Sequence, residues 1–171
     1  AVGDEAGTAI TTGDQNIAIG YVALQSEDTG SRSIAIGYSA LQNQNNDANN
    51  YNVGIGHEAG GAITTGVGNT FLGGLAGDAT DDGNYNVAVG YASLSANCAN
   101  DNTAVGVGAL EVNTAASNTA VGRSALTANT TAGDNVAVGH NAGLAITTGG
   151  YNVAIGTSAL KTATTTTANV A

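Results

Sequence analysis

The composition is marked first by what is scarce. The 171 residues include no Pro, Met or Trp, one Phe, and one Cys, Cys98. A globular core built from large interlocking side chains is therefore not favoured. The single cysteine excludes a disulfide bond within the chain. No apolar run approaches the roughly 20 residues of a membrane-spanning helix, so we expect no membrane insertion.

Basic side chains are scarce as well. Three Lys and Arg residues stand against 13 Asp and Glu residues, which gives a formal net charge of −10. An acidic surface repels phosphate, and we therefore expect no nucleic-acid partner. The acidic side chains favour solubility and discourage lateral sticking of β-structure.

Glycine, in contrast, is abundant at 26 residues, and it recurs at a nearly fixed period. Versions of the phrase Asn-x-Ala-[Ile/Val]-Gly-x-x-Ala-[Leu/Gly] occur ten times, in steps of 16 to 19 residues. Its Gly residues are Gly3, Gly20, Gly37, Gly56, Gly73, Gly90, Gly106, Gly122, Gly139 and Gly156. Such a period is typical of a solenoid, in which each coil buries its apolar residues against its neighbours. We predict a single all-β domain over 1–171, a parallel β-solenoid of ten coils, whose Thr-rich segment 161–171 enters an eleventh.

In most copies an Ala stands two residues before the Gly, and a β-branched or aliphatic residue lies on each side of that position. The residue next to the Gly is never polar, and the pattern predicts that it faces the inside of the coil as a core ladder. That core ladder is Ile19, Ile36, Ile55, Leu72, Val89, Val105, Val121, Val138 and Ile155, with Val2 in the first coil. Because strand side chains alternate, the residue two positions earlier is expected on the same face as a second core column.

A third column accepts only Ala or Ser, which indicates a tightly packed position. Where the following residue is Gly rather than Leu, an Ile usually appears three positions later, so that one bulky aliphatic per coil is kept. Gly77, followed by Thr80, does not fit this rule. The only Phe, Phe71, stands in a column of Ala, and Gly54 precedes it there by one coil. We expect Gly54 to make room for the Phe71 ring.

An Asn begins nearly every copy, and we expect these side chains to form a stacked amide ladder with a structural role. The Asn ladder is Asn16, Asn52, Asn69, Asn86, Asn102, Asn118, Asn135 and Asn152, with Ser33 as the exception. Asn169 continues the column in the eleventh, partial coil.

The two ends of the sequence lie in phase with the repeat. Ala1 and Val2 occupy the same columns that Asn169, Val170 and Ala171 begin to fill at the other end. One hypothesis is that chains stack end to end through these residues. The alternative is that the segment is cut from a longer repetitive protein.

The copies at Asn16–Leu24 (Asn-Ile-Ala-Ile-Gly-Tyr-Val-Ala-Leu) and at Asn86–Tyr91 (Asn-Val-Ala-Val-Gly-Tyr) resemble the head repeats of trimeric autotransporter adhesins. They are equally similar to repeats in phage and bacterial surface fibres that carry a C-terminal intramolecular chaperone. This resemblance implies a left-handed parallel β-roll, commonly trimeric, at a cell or virion surface. Adhesin heads usually have coils of about 14 residues, whereas the coils here are longer.

No pattern indicates an enzyme or a cofactor. The Ser residues lack a nucleophile-elbow signature. His57 and His140 share a column but lie five coils apart, roughly 24 Å, which is too far to share a metal ion. Asp78, Asp81 and Asp82 form the densest acidic cluster and are a weak calcium candidate, because the repeated calcium-binding nonapeptide is lacking.

Exposed tyrosines leave two interpretations open. Tyr21, Tyr38 and Tyr91 share a column and are suited either to an interface between subunits or to stacking on sugar rings. We therefore expect a structural subunit of an extracellular fibre or filament that associates with itself, through its ends or in trimers. The alternative is an adhesin or phage tail-fibre head that binds surface glycans or receptors.

Overall fold

The computed structural model describes residues 1–171 and is a parallel β-solenoid without a helix. Nine three-residue strands form one sheet in chain order. They are β1 (Ile17–Ile19), β2 (Ile34–Ile36), β3 (Val53–Ile55), β4 (Thr70–Leu72), β5 (Val87–Val89), β6 (Thr103–Val105), β7 (Thr119–Val121), β8 (Val136–Val138) and β9 (Val153–Ile155). Each strand pairs in parallel with the next, with equivalent motif residues in register, as Ile17 with Ile34. The predicted fold class is confirmed.

The number of strands is one lower than the ten predicted coils. The first copy contributes an isolated bridge, Val2 to Ile19, instead of a strand, and Val170 makes a similar bridge to Val153 at the other end. Each terminal rung has a neighbour on one side only, so it makes fewer ladder hydrogen bonds.

Backbone hydrogen bonds run between coils on all sides, and most lie outside the sheet. Of 98 backbone–backbone bonds, only 16 lie within the strands. The Leu24 N–H, for example, donates to the Ala40 carbonyl at 3.0 Å, and the Leu41 N–H donates to the Ala59 carbonyl at 3.1 Å. The turns are therefore stacked as regularly as the strands.

The Gly that closes each strand is required by two features of the backbone. Gly20 has a φ of +127°, in a region that L-residues rarely adopt. A Cβ there would also lie 2.3 Å from the Gly37 carbonyl oxygen of the next coil. The coils approach too closely at this corner for any side chain.

The prediction that the core ladder faces the inside of the coil is wrong, because these side chains face outward. Ile19 is 40% exposed and Ile155 is 62% exposed, whereas Ala18 and Ala154 between the two apolar columns are buried. The other members of the ladder, Ile36, Ile55, Leu72, Val89, Val105, Val121 and Val138, are likewise exposed or half-buried. Alternation along the strand places either the Ala or its larger neighbours inside, and this narrow coil has room only for the Ala. The second apolar column is turned outward for the same reason.

The interior is filled instead by small residues of the strands and by aliphatic residues of the turns. The large aliphatic side chains that are fully buried are Leu24, Leu41, Ile63, Leu94, Leu110, Leu126 and Ile146. Leu and Ile reach the same space from different points of the backbone. Gly143 stands where other coils have Leu, and a Cβ added to it would lie 3.2 Å from the Ile146 Cδ1. The exchange of Leu for Gly plus Ile therefore conserves the packed volume of a coil.

Phe71 explains the coil that departs from this rule. A Cβ on Gly77 would lie 2.4 Å from the Phe71 ring, and a Cβ on Gly60 would lie 2.6 Å from it. The ring thus occupies the space that an Ile fills in other Gly coils, which leaves Thr80 in the Ile position. The expectation that Gly54 makes room for Phe71 stays a prediction: the two residues are paired in register, and the atoms nearest to a Cβ on Gly54 are the Ala59 carbonyl oxygen and the Leu41 Cγ, both at 2.8 Å.

The Asn column lies inside the coils and joins each one to the next. The Asn52 Oδ1 accepts the Asn69 backbone N–H at 2.8 Å, and the Asn52 Nδ2 donates to the Gly66 carbonyl at 2.7 Å. The first of these bonds recurs along the column up to Asn169. Direct amide–amide contacts also occur, for example between Asn152 Nδ2 and Asn135 Oδ1 at 3.0 Å. The amides fix the start of each strand relative to the previous coil.

One carboxylate is buried in this interior without a cation. Glu27 accepts the Gly30 N–H at 2.8 Å, the Gln44 Nε2 at 2.7 Å and the Asn50 Nδ2 at 2.8 Å. All four residues are buried. The three donors replace the water that this carboxylate loses on folding.

Candidate functional site

The outward side chains of the strands form a continuous apolar surface, here called the outer sheet face. It consists of the first and third residues of β1 to β9, which are Ile17, Ile19, Ile34, Ile36, Val53, Ile55, Thr70, Leu72, Val87, Val89, Thr103, Val105, Thr119, Val121, Val136, Val138, Val153 and Ile155. Three of these 18 residues are Thr and the other 15 are aliphatic; none carries a charge. On a chain with a net charge of −10, this segregation is the main surface feature.

One edge of the outer sheet face carries a short aromatic stack. The rings of Tyr21 and Tyr38 lie 5.6 Å apart between centroids, and those of Tyr38 and His57 lie 4.9 Å apart, both nearly parallel. Gly74 interrupts the column before Tyr91. Of the three tyrosines predicted for an interface or a glycan, two are therefore stacked on each other and the third stands apart.

The opposite edge carries a cation–aromatic contact. The Arg32 guanidinium lies 5.5 Å from the centre of the Tyr51 ring, and its Nη1 donates to the Tyr51 hydroxyl at 2.7 Å. Tyr51, Tyr85 and Tyr151 are all exposed. The apolar strip is thus bordered on both sides by polar aromatic residues.

The structure has one cleft, of about 280 Å³, beside the aromatic stack. It lies where Gly61 leaves one coil without a side chain, between Gln42 on the preceding coil and Asp78 on the next. The rest of the lining is Tyr38, Ser39, Asn43, Glu58 and Ala62. We call this site the acidic cleft, since it holds two carboxylates and no cationic side chain.

The weak calcium hypothesis finds no support in the side-chain arrangement. No three His, Cys, Asp or Glu residues converge on a point where they could hold a metal ion. Asp78 lines the acidic cleft, Asp81 accepts a hydrogen bond from the Thr64 hydroxyl, and Asp82 is exposed. These three neighbours in sequence therefore face different surroundings.

The remaining predicted residues fall at separate places. Cys98 is buried, with its sulfur 3.2 Å from the Thr80 hydroxyl, and burial raises the pKa of the thiol. His57 lies 3.9 Å from the Glu58 carboxylate through its Nδ1. At the chain ends, the Ile155 N–H donates to the Ala171 carbonyl at 2.7 Å, so the last residues continue the ladder.

Sequence reasoning missed the acidic cleft and misplaced the outer sheet face. The signal for the cleft is a Gly at 61, in a column that reads Gln25, Gln42, Gly61, Asp78 and Ser95. The signal for the face is that both β-branched columns sit beside Ala, which is the smaller and therefore the inward choice.

No protein-family model, curated protein or solved structure matches the chain at a significant level. The structure contains no helix with the length and apolar character needed to cross a membrane.

Proposed function

We propose that this chain is a structural subunit of an extracellular fibre, and that copies associate laterally through the outer sheet face. The observation that carries this proposal is that each of nine successive strands turns at least one aliphatic side chain outward, where it is exposed or half-buried. The extracellular setting and the trimeric form rest on the resemblance of the repeats to adhesin heads and surface fibres.

The size of the outer sheet face supports association. Nine strands at about 4.8 Å per rung give a length of about 43 Å, and two columns about 6.7 Å apart give a width of about 10 Å. The resulting area, on the order of 400 Å², is at the size where an apolar patch usually marks an interaction site. The aromatic edges add to this area, and a stable interface buries roughly 800 Å² per partner.

Its composition supports a second copy of the same chain as the partner. An acidic chain repels its own copies wherever charges meet, but no charge lies on the outer sheet face. The centre of a protein interface is typically depleted of charge, its rim is polar, and Tyr and Arg are enriched in interfaces; Tyr51 and Arg32 lie beside the uncharged face here.

The proposed role is mechanical. Coil-to-coil hydrogen bonds on every side resist stretching along the solenoid axis. Lateral association removes aliphatic surface from water, which contributes about 25 cal/mol for each Å² that is buried. Together these interactions would make a stiff rod from a chain with few large core residues.

The proposal is tested by the mass of the protein in solution. We expect wild-type protein to sediment as a multiple of the 16.5 kDa chain, and the Val121→Asp variant to be monomeric. Val112→Asp is the matched control, because Val112 is 43% exposed and lies off the face, whereas Val121 on β7 is 36% exposed. Circular dichroism checks that both variants remain folded.

A wild-type protein that stays monomeric at high concentration would contradict lateral association, as would dissociation of the Val112→Asp control. Electron microscopy then separates two forms of assembly. Discrete short rods indicate trimers, whereas long filaments indicate that chains also join through the rungs at Ala1–Val2 and Asn169–Ala171.

A second candidate function is an adhesin or tail-fibre head that binds glycans, favoured by the exposed tyrosines. Tyr38 is covered on both ring faces by Tyr21 and His57, so sugar stacking would fall to the free ring faces of Tyr21 and Tyr91. A glycan array with the wild type and a Tyr91→Ala variant tests this role. Binding that requires Tyr91 would favour the head over the fibre.

A further inference from the structure

We propose that the acidic cleft is a binding site for a small organic cation, a primary ammonium or guanidinium group. This site lies beside the outer sheet face and shares Tyr38 with its aromatic edge, but the inference does not depend on the proposed fibre function.

The shape of the cleft follows from one missing side chain. Gly61 provides a floor between Gln42 and Asp78, and its φ is an ordinary one, so no backbone requirement accounts for Gly here. A Cβ on Gly61 would lie 3.3 Å from the Ser39 carbonyl oxygen and 3.4 Å from the Glu58 carbonyl oxygen, which is a tight contact that needs a shift of a few tenths of an ångström. Coils spaced by about 4.8 Å leave room over Gly61 for one flat or rod-like group. A volume of about 280 Å³ admits the end of a lysine or arginine side chain but not a large ligand.

The lining offers several hydrogen-bond acceptors that the chain leaves unpaired, although the Asp78 carboxylate as a whole is partly satisfied by the Ser95 hydroxyl and by nearby backbone N–H groups. The Asp78 Oδ1 is buried and has no hydrogen-bond partner. The Glu58 carboxylate accepts no hydrogen bond, and its nearest charged neighbour is the His57 Nδ1 at 3.9 Å. The Ser39 carbonyl oxygen also accepts none. The nearby Ser95 hydroxyl donates to the Leu75 carbonyl at 3.0 Å. A ligand with several N–H donors would satisfy these groups together.

The electrostatics of Asp78 favour the same class of ligand. Burial raises the pKa of its carboxyl by more than the hydrogen bonds from Ser95 and the backbone lower it, and the negative charge of Glu58 adds to the rise. Both effects reflect a carboxylate that lacks a compensating charge, which a bound cation would supply. A neutral sugar would not relieve the repulsion between the two carboxylates. A calcium ion would need six to eight oxygen ligands, and no metal-binding group of side chains is present here.

The test is a titration followed by NMR or calorimetry, at about 0.15 M salt so that the net charge of the chain is screened. The probes are methylguanidinium and n-butylammonium, with methylurea as the neutral control and calcium chloride as the metal control. We expect both cations to bind and both controls to fail. A capped Gly-Arg-Gly peptide distinguishes the source: tighter binding than methylguanidinium indicates a protein side chain, and equal or weaker binding indicates a free small cation.

Two variants locate the site. Asp78→Asn and Gly61→Gln should each weaken cation binding by about tenfold or more, the first by removing a charged acceptor and the second by filling the cleft. Asp82→Asn, which removes an exposed carboxylate outside the cleft, should change it by less than about twofold.

Three results would overturn the proposal. One is equal weakening by Asp82→Asn, which would indicate general attraction to an acidic chain. Another is binding of methylurea or calcium with the affinity of the cations. The third is unchanged binding in the folded Gly61→Gln variant.

Discussion

At the scale of single residues, the close approach of coils makes glycine necessary for two separable reasons. Gly106 has a φ of +133°, and a Cβ there would lie 2.6 Å from the Gly122 backbone. Gly156 has a similar φ of +123° with no atom within 4 Å. Comparing the two positions therefore distinguishes backbone strain from a steric clash.

We predict that Gly106→Ala destabilises the fold more than Gly156→Ala does. The strained φ should cost about 1–3 kcal/mol at both sites. The clash adds about 1–3 kcal/mol at Gly106 alone. Urea unfolding of the two variants measures the difference, and equal losses would show that the coils can separate without cost at that corner.

The buried Glu27 gives a second prediction at this scale. Glu27→Gln keeps the shape but turns an amide NH₂ group toward three donors, from Gly30, Gln44 and Asn50. We expect a loss of about 1–3 kcal/mol in the free energy of unfolding, because one donor is left buried without an acceptor. Glu111→Gln, at an exposed carboxylate, is the control and should have little effect. A neutral outcome for Glu27→Gln would mean that the carboxylate is not needed as a triple acceptor.

Asp78 gives a prediction about pH. Its pKa in the folded chain is raised above 3.8, first by burial and then by Glu58, so the folded state favours the protonated form. The stability that this carboxyl contributes is fully present below pH 3.8 and is lost as pH rises through the raised pKa. Asp78→Asn should therefore stabilise the fold near neutral pH and have little effect at about pH 3.

The free energy of unfolding of Asp78→Asn, measured at both pH values, tests this prediction. Asp82→Asn is the control. A variant that is less stable than the wild type at neutral pH would contradict it. The expected gain also fits a binding site, where a group that destabilises the free protein is kept for its ligand.

At the scale of one coil, side-chain volume decides which face of the strand is buried. A three-residue strand such as β5 (Val87–Val89) can place either one residue or two inside. The interior already holds a turn residue, Leu94 in this coil, and a column of Ala or Ser. The Ala between the two Val residues is the one that fits. The apolar columns are then available for contacts with another chain.

The coil of Phe71 gives a prediction of compensation. Phe71→Ala should cost about 3–5 kcal/mol, since it empties space over Gly60 and Gly77. Thr80→Ile alone should destabilise by about 1–3 kcal/mol, because the ring already fills that space. Together, the two changes rebuild the Gly-plus-Ile arrangement of Gly143 and Ile146. The double variant should therefore be more stable than Phe71→Ala alone.

The measurement is a double-mutant cycle of unfolding free energies. Thr80→Val serves as the control for loss of the Thr80 contact with Cys98. Additive losses in the double variant would show that the introduced isoleucine side chain and the Phe71 ring do not share the same space.

At the scale of the whole molecule, association and stability should be linked. If copies bury the outer sheet face, the melting temperature of the wild type rises with protein concentration. The Val121→Asp variant should show no such rise, whereas the Val112→Asp control should behave as the wild type. A melting temperature of the wild type that does not change with protein concentration would contradict lateral association. The cation site would be unaffected by that result, since it is formed within one chain.

The repeat period alone determined the architecture. Steps of 16 to 19 residues between closing glycines predict parallel stacking, and the observed register joins the predicted residues, as Val136 with Val153. Each copy needs the same neighbours above and below, so equivalence in sequence becomes adjacency in space. The Asn column also follows from the period, because identical amides at one position stack in successive coils.

Only the tertiary structure decided which face of each strand is buried and where the acidic cleft lies. Alternation of side chains divides a strand into two faces but does not state which face is inside; that depends on the width of the coil, which is set by the turns. The cleft likewise joins residues of three coils, from Gln42 to Asp78, around a missing side chain. The Gly at position 61 is visible in the sequence. The acceptors beside it that lack a hydrogen bond can be recognised only in the folded chain.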